Sequence, residues 1–383
     1  MPAKPDSAVS HPVQSVMSRT GSFPLSVAFE LIGKQRQKPR LVFDPFAGKG
    51  TVLLAARMHG CEAYGMDIAP EAVACSRAKL ADITLEQVNC YIDGLRLPNG
   101  TGGVAPPEVR CFYHPETLRQ ILGYRRQIFV DIQSQHTTIR EAAGFTLAAV
   151  LGILHGHASY SLSIPSAHAY SMSPGYVKRY AAKHGLKPEN KDVKFCIKSK
   201  VKRCLALPLP NPVRSEVRLG SASQATTEFP QLAGSVDMIL TSPPYLNAQT
   251  YAKDNWLRLW FLGYNYRQLK PLYIETASIP RYGLAMTAVL QQFAAMLRPG
   301  GTLICIAGDV AIHKTGRSSS RRSMFRTGEF LRDLCQKLCL GLQVANQEVH
   351  KVPGQSRYFN ALNDSNGHRK HDLIERVFTA TKV

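Results

Sequence analysis

Leu25, Ala28, Phe29 and Ile32 repeat at helical spacing directly after Pro24, which predicts a helix over 25–32 closed by Gly33. The apolar triplet Leu41–Phe43 is too short for a helix and predicts a buried strand entering a glycine-containing loop. A helix over 52–59, closed by Gly60, a strand over 63–66 ending at Asp67, and a helix over 70–80 follow. Much later, Ser235–Leu240 reads as another buried strand, halted by Pro243 and Pro244, because two prolines cannot continue a central sheet. The stripe Trp256, Leu259, Trp260 and Leu262 predicts a core-facing helix over 249–263, preceded by a lid-like connection over 246–254. A helix over 284–297, the turn Pro299-Gly300-Gly301, a strand over 302–307, a helix over 328–340 and strands near 344–352 and 374–379 complete the pattern.

Strands alternating with helices predict an α/β fold, a doubly wound sheet of Rossmann-like type. The middle of the chain departs from that alternation. Residues 95–107 are rich in glycine and proline and read as a boundary loop, and residues 108–211 read mainly as helices, including 115–129 and 138–155. The organisation predicted is one sheet-bearing domain, 1–95 and 215–383, interrupted by an inserted region, 96–214. Residues 308–328 are polar and basic and read as a flexible loop.

Charge narrows the partner. Across 383 residues, 47 Lys and Arg oppose 27 Asp and Glu, a net charge of +20 that favours a polyanion, nucleic acid before a membrane surface. Between residues 178 and 218 twelve cations face Glu189, Asp192 and Glu216 alone, a local balance of +9, with Tyr170, Tyr176 and Tyr180 just ahead. No apolar run reaches the length of a membrane span, and residues 1–10 lack the apolar core of a secretory signal. Nine scattered cysteines read as reduced thiols of a cytoplasmic protein, and no His or Cys spacing predicts a metal site; His155, His157 and His168 read as core or surface residues.

Two stretches carry chemistry. In Leu41–Thr51 a strand, the glycines Gly48 and Gly50 and a helix follow one another, the arrangement by which a backbone approaches a nucleotide. It is not a phosphate loop, since Lys49 stands between the glycines. Asp67 closes the next strand, about 20 residues on, where an acid accepts ribose hydroxyls. The second stretch is Thr241-Ser242-Pro243-Pro244-Tyr245, which presents a hydroxyl and an aromatic ring at the carboxyl end of a strand.

Together these stretches resemble the amino-group DNA methyltransferases. Phe43–Thr51 looks like their S-adenosylmethionine loop, Gly65–Ile68 is similar to their ribose-binding strand, and Thr241–Tyr245 resembles their catalytic motif. Arg19–Pro24 resembles the segment closing over the cofactor's methionine end, and Leu297–Leu303 the late turn and strand. The resemblance implies catalytic roles for Ser242, Pro243, Pro244 and Tyr245. It implies cofactor contacts from Thr20, Gly21, Ser22, Asp44, Pro45, Phe46, Ala47, Gly48, Gly50, Thr51, Asp67 and Ile68. The inserted region falls where the family carries target recognition, so Lys178, Arg179, Lys183, Lys198, Lys200, Lys202 and Arg203 are expected to contact DNA, with Arg321 and Arg322 from the later basic stretch.

The implied reaction is transfer of a methyl group from S-adenosylmethionine to an exocyclic amine of a flipped base in double-stranded DNA. Such an amine is a poor nucleophile because its lone pair is delocalised, and acceptors on its two protons, the Ser242 hydroxyl and the Pro243 carbonyl, restore tetrahedral character. Serine at 242 is typical of enzymes acting on the 4-amino group of cytosine, aspartate of those acting on the 6-amino group of adenine. Adenine and RNA bases stay open as alternatives, as does a binding protein with a decayed site. The absence of a Pro-Cys pair argues against carbon-5 methylation through a thiolate. The family further implies the modification half of a restriction system, with a cognate endonuclease as partner and a monomeric or homodimeric state.

Overall fold

A computed structural model describes residues 9–18, 23–98, 104–165, 172–246, 251–316, 319–352 and 373–383. Eight strands form its sheet: β1 (Leu41–Asp44), β2 (Glu62–Asp67), β3 (Ser215–Leu219), β4 (Val236–Thr241), β5 (Leu297–Gly316), β6 (Ser319–Arg326), β7 (Leu342–Val352) and β8 (Leu373–Lys382). Their order is β3-β2-β1-β4-β5-β8-β7, with β6 paired to the far half of β5. β3, β2, β1, β4 and β5 run parallel, whereas β8 is antiparallel to both β5 and β7. The chain leaves β1 toward β2 and β3, then returns to the other side as β4 and β5, so the order reverses between β1 and β4. That reversal is where doubly wound sheets open a ligand crevice.

The helices are α1 (Leu25–Gly33), α2 (Thr51–Met58), α3 (Pro70–Leu80), α4 (Leu85–Gly94), α5 (Pro107–Arg110), α6 (Pro115–Asp131), α7 (Thr137–Ile153), α8 (Pro174–His184) and α9 (Val193–Cys204) before β3. After it come α10 (Ala225–Glu228), α11 (Tyr251–Asp254), α12 (Trp256–Leu262), α13 (Tyr266–Leu269), α14 (Ile279–Met296) and α15 (Thr327–Lys337).

Successive residues of β1 feed opposite faces of the sheet. Val42 joins a core with α1, α2, α3 and the helices of residues 85–204, while Phe43 joins one with Phe229, Ile239 and α14. All four residues of β1 are buried, which is why that strand reads as a continuous apolar run. Its lower end is pinned by Asp237, whose carboxylate accepts from the Leu41 amide at 2.9 Å and from Arg298 Nε at 2.5 Å.

The structure changes the expected outline in four places. Helix α4 occupies residues left unassigned, and its start is a capping box in which Thr84 and Gln87 satisfy each other's backbone amides. Residues 215–219 form β3, an edge strand of mixed polarity whose weak alternation carries no strand signal. The helix expected over 249–263 is two short helices, α11 and α12, flanking Asn255, and residues 247–250 of the expected lid lie outside the described residues. The basic stretch 308–328, expected as a loop, is largely strand: β5 runs on past the sheet and pairs with β6 from Asp309↔Arg326 to Gly316↔Ser319.

Candidate active site

The residues singled out after β1, β2 and β4 converge at the carboxyl edge of the sheet. Tight backbone geometry shapes the loop after β1. Gly48 and Gly50 adopt positive φ, 52° and 75°, and a Cβ on Gly50 would fall 2.9 Å from the Ser76 backbone, so glycine is required there. The Ala47 amide donates to the Met66 carbonyl at 2.9 Å and the Ser76 hydroxyl donates to the Gly48 carbonyl at 3.1 Å, fixing the loop against β2 and α3. Thr51 opens α2, and its hydroxyl is buried without a hydrogen-bond partner among the described residues. A buried polar atom in that condition costs about 1–3 kcal/mol unless something else satisfies it.

Asp67, at the end of β2, accepts from the Gly48 amide at 2.7 Å and from the Ala69 amide at 2.9 Å. Asp44, at the end of β1, is almost fully buried and accepts from the Thr241 hydroxyl at 2.7 Å and the Phe46 amide at 3.1 Å. Burial pushes the Asp44 carboxyl up to about 7; the Thr241 and Phe46 hydrogen bonds oppose the rise and the charge of Asp67 adds to it. Pro45 and Ala47 are buried, and Phe46 and Ile68 are half-buried.

Beyond β4, Ser242 is half-buried and its hydroxyl lies 3.3 Å from the Tyr245 hydroxyl. The Tyr245 ring lies against Gly308 of β5, where an added Cβ would come within 2.8 Å of it. Burial pushes the Tyr245 phenol well above its ordinary value, so it remains protonated. The Tyr282 hydroxyl on α14 donates to the Pro244 carbonyl at 2.9 Å, and Pro243 is buried. The two prolines thus stand on a tyrosine strut from a neighbouring helix.

One part of the rim escaped the sequence reading. Gly220 and Ser221 end β3 beside Asp67, with the Gly220 amide donating to the Asp67 carbonyl at 3.0 Å. The signal was present as a Gly-Ser break after a short strand, but β3 alternates too weakly to be noticed first.

Of the other expected site residues, Thr20, Gly21 and Ser22 lie outside the described residues. Lys178, Arg179 and Lys183 are exposed on α8, and Lys202 and Arg203 on α9, where Arg203 donates to the Tyr160 hydroxyl at 3.1 Å. Lys198 pairs with Asp93 at 2.5 Å. Lys200 requires correction as a surface contact: its side chain is buried and donates to the Ser15 carbonyl, so it ties the N-terminal segment to α9. Arg321 and Arg322 lie on β6, in register with Lys314 and His313. His155 is buried with Nδ1 2.7 Å from the Ser163 hydroxyl. Among the described residues no group of three or more His, Cys, Asp or Glu side chains could hold a metal ion, and no helix is long and apolar enough to cross a membrane.

No family model and no curated protein matches the chain. Solved structures similar to it include a protein of Thermus thermophilus provisionally assigned as a DNA modification methylase and complexed with S-adenosyl-L-methionine. It is 22% identical over 43% of this chain and 51% of its own, with a TM-score of 0.26. The chain thus spans about half the length of that protein. A SAM-dependent methyltransferase of Methanosarcina mazei is 9% identical, with coverages of 92% and 97% and a TM-score of 0.36. An rRNA methyltransferase of Streptomyces viridochromogenes is 11% identical, with coverages of 95% and 89% and a TM-score of 0.32.

Proposed function

We propose that the chain is an S-adenosylmethionine-dependent methyltransferase acting on the exocyclic 4-amino group of cytosine in DNA, the modification member of a restriction system. The observation that carries this reading is the meeting of two loops at the β1/β4 switch point: the Thr241 hydroxyl bonds Asp44, and the next residue, Ser242, stands half-buried at the same edge. That hydrogen bond ties the loop proposed to hold the cofactor to the loop proposed to hold the amine.

The residues present suit the cofactor. The unsatisfied Thr51 hydroxyl at the opening of α2 and the glycine loop offer donors to a carboxylate. The Asp67 carboxylate, at the end of β2, suits two ribose hydroxyls. Asp44, once ionised, complements a positively charged group. When bound, S-adenosylmethionine supplies an electrophilic methyl on a sulfonium. The chain's own contribution is positional: Ser242 Oγ and the Pro243 carbonyl accept the two amine protons, and the Tyr282 strut keeps the Pro-Pro backbone from yielding. Tyr245 stays neutral and offers its ring and hydroxyl at the same edge.

The test is transfer of labelled methyl from S-adenosylmethionine to unmethylated duplex DNA, followed by digestion to nucleosides and identification by mass. Label on the 4-amino group of deoxycytidine, abolished in Ser242→Ala, is the expected result. Label on deoxyadenosine would overturn the choice of base, label on RNA alone would overturn the polymer, and no transfer to either would overturn the reading.

A further inference from the structure

The cations between residues 178 and 218 divide into two groups once their partners are known. Those on and beside α9 are mostly engaged within the chain: Lys191 with Glu189, Lys194 with the Asp93 carbonyl, Lys198 with the Asp93 carboxylate, Lys200 with Ser15. Among the described residues, those on and beside α8 are not. Lys178, Arg179, Lys183 and Lys187 are exposed, none of the four joins an ion pair among the described residues, and residues 172–188 contain no Asp or Glu.

α8 also carries a column of rings. Tyr176 and Tyr180 are stacked with centroids 5.9 Å apart and planes at 19°, and Tyr180 and His184 continue the column at 4.4 Å. Spacing of four residues places these rings one above another on the helix. Arg179 and Lys183 lie three residues on from Tyr176 and Tyr180, in the adjacent row, so the rings and the cations share one edge of the helix. A core seam would bury such a stripe, yet Val177 is the only buried residue of α8, and the column runs from half-buried Tyr176 outward to exposed His184. The segment entering the helix is tied to α12, since Trp256 donates its indole N–H to the Met172 carbonyl at 3.1 Å.

We infer that α8 is a stacking platform for an unpaired nucleotide of the substrate strand, His184 at the open end of the column taking the base on its outer face, Tyr180 backing that ring, and Arg179 and Lys183 taking the flanking phosphates. This deepens the function proposed above and rests on it. An intact duplex hides its base faces and offers phosphates and groove edges, so it would use the cations alone. An open strand uses both, and ring stacking tolerates any sequence because every base has a π-face.

The experiment measures binding of the full chain to a short single-stranded DNA carrying 2-aminopurine and to its duplex, together with S-adenosylmethionine binding by calorimetry. Stacking on the open end of the column that Tyr180 supports should quench the 2-aminopurine emission of the single strand. Tyr180→Leu, which keeps apolar volume and removes the ring, should weaken single-strand binding on the order of tenfold and abolish the quench. Tyr180→Phe should retain both, and duplex and cofactor binding should be unchanged in either variant. Lys183→Gln should weaken single-strand and duplex binding alike and flatten their salt dependence. Equal single-strand affinity in Tyr180→Leu and Tyr180→Phe, or equal losses on single strand and duplex in Tyr180→Leu, would overturn the platform while leaving the methyltransferase reading intact. Failure of the unsubstituted chain to bind S-adenosylmethionine would count against that reading instead, and failure to bind any DNA would overturn both.

Discussion

The hydroxyl of Thr241 donates to the carboxylate of Asp44 at 2.7 Å, joining the ends of two adjacent strands at the point where the sheet reverses its order. Both groups are buried, so neither can exchange its partner for water. Thr241→Val keeps the shape and removes the donor, leaving one oxygen of a buried carboxylate with a single amide to support it. The expected cost is about 1–3 kcal/mol of stability. Cofactor affinity should fall as well, because a less supported Asp44 holds its proton to higher pH. Thermal melts with and without S-adenosylmethionine would separate the two effects; equal melting temperatures for both proteins in both conditions would contradict them.

The elevated Asp44 carboxyl makes the folded protein sensitive to pH. Its folded value, about 7, lies above the ordinary 3.8, so the folded state holds a proton that the unfolded state has released between those values. Stability contributed by the protonated carboxyl is complete below about 4 and declines as pH rises toward 7. Asp44→Asn should therefore flatten the ligand-free stability profile between about pH 4 and 7. A bound cation favours the ionised form, so S-adenosylmethionine should bind more tightly above pH 7 than below it and release a proton on binding near pH 6.5. Calorimetry in buffers of different ionisation enthalpy measures that proton, and its persistence in Asp44→Asn would assign it elsewhere.

The parts of the fold that were legible share a physical cause. β1, β4 and the first half of β5 are covered on both faces and read as apolar runs, and α3 is bounded by Pro70 at its start. What escaped lies where burial is one-sided or absent. β3 is an edge strand with one buried residue, and the distal half of β5 with β6 pairs outside the parallel sheet, where polar and basic residues satisfy the ladder as well as apolar ones. Lys200 misled for a different reason. A run of lysines suggests surface, but helical spacing puts position 200 on the face of Val193, Cys196, Ile197 and Cys204, all buried. The convergence of Asp44, Asp67 and Ser242 at one edge was implied by the motifs; the Tyr282 strut and the Gly220-Ser221 rim come from distant segments that no local pattern links to it.

Arg376 of β8 should be the costliest single ion-pair residue to remove. Its guanidinium pairs with Asp309 at 2.8 and 2.9 Å and with Glu329 at 3.0 Å, in side chains that are 10%, 5% and 29% exposed respectively. The bidentate contact bridges β8 and the point where β5 leaves the main sheet for its hairpin with β6. Arg376→Met leaves the buried Asp309 carboxylate without its cation, while Glu329 keeps Arg326 at 3.2 Å, and a loss of about 3 kcal/mol is expected. Asp309→Asn retains an acceptor for Arg376 and should cost less. Denaturant unfolding of the two variants tests the order, and a smaller loss for Arg376→Met would show that the pair contributes little.

Gly308 provides the most selective probe of Tyr245. The tyrosine ring occupies the space that a side chain at 308 would need, and a methyl group there would come within 2.8 Å of Cε2. Nothing about the conformation of Gly308 demands glycine, since its φ is not among the positive values, so the requirement is one of space. In Gly308→Ala the ring must move and the 3.3 Å approach of its hydroxyl to Ser242 is lost. Overpacking of this kind costs about 1–3 kcal/mol, which a large α/β core can absorb while remaining folded. Methyl transfer should fall by an order of magnitude or more, because displacements of about 1 Å at a reacting centre have effects of that size. Cofactor affinity should hardly change, since Asp44, Asp67 and Thr51 lie on other strands and loops. A drop in kcat with cofactor binding intact would tie Tyr245 to the reacting base, whereas parallel losses of both would mean that Gly308 supports the whole edge of the sheet.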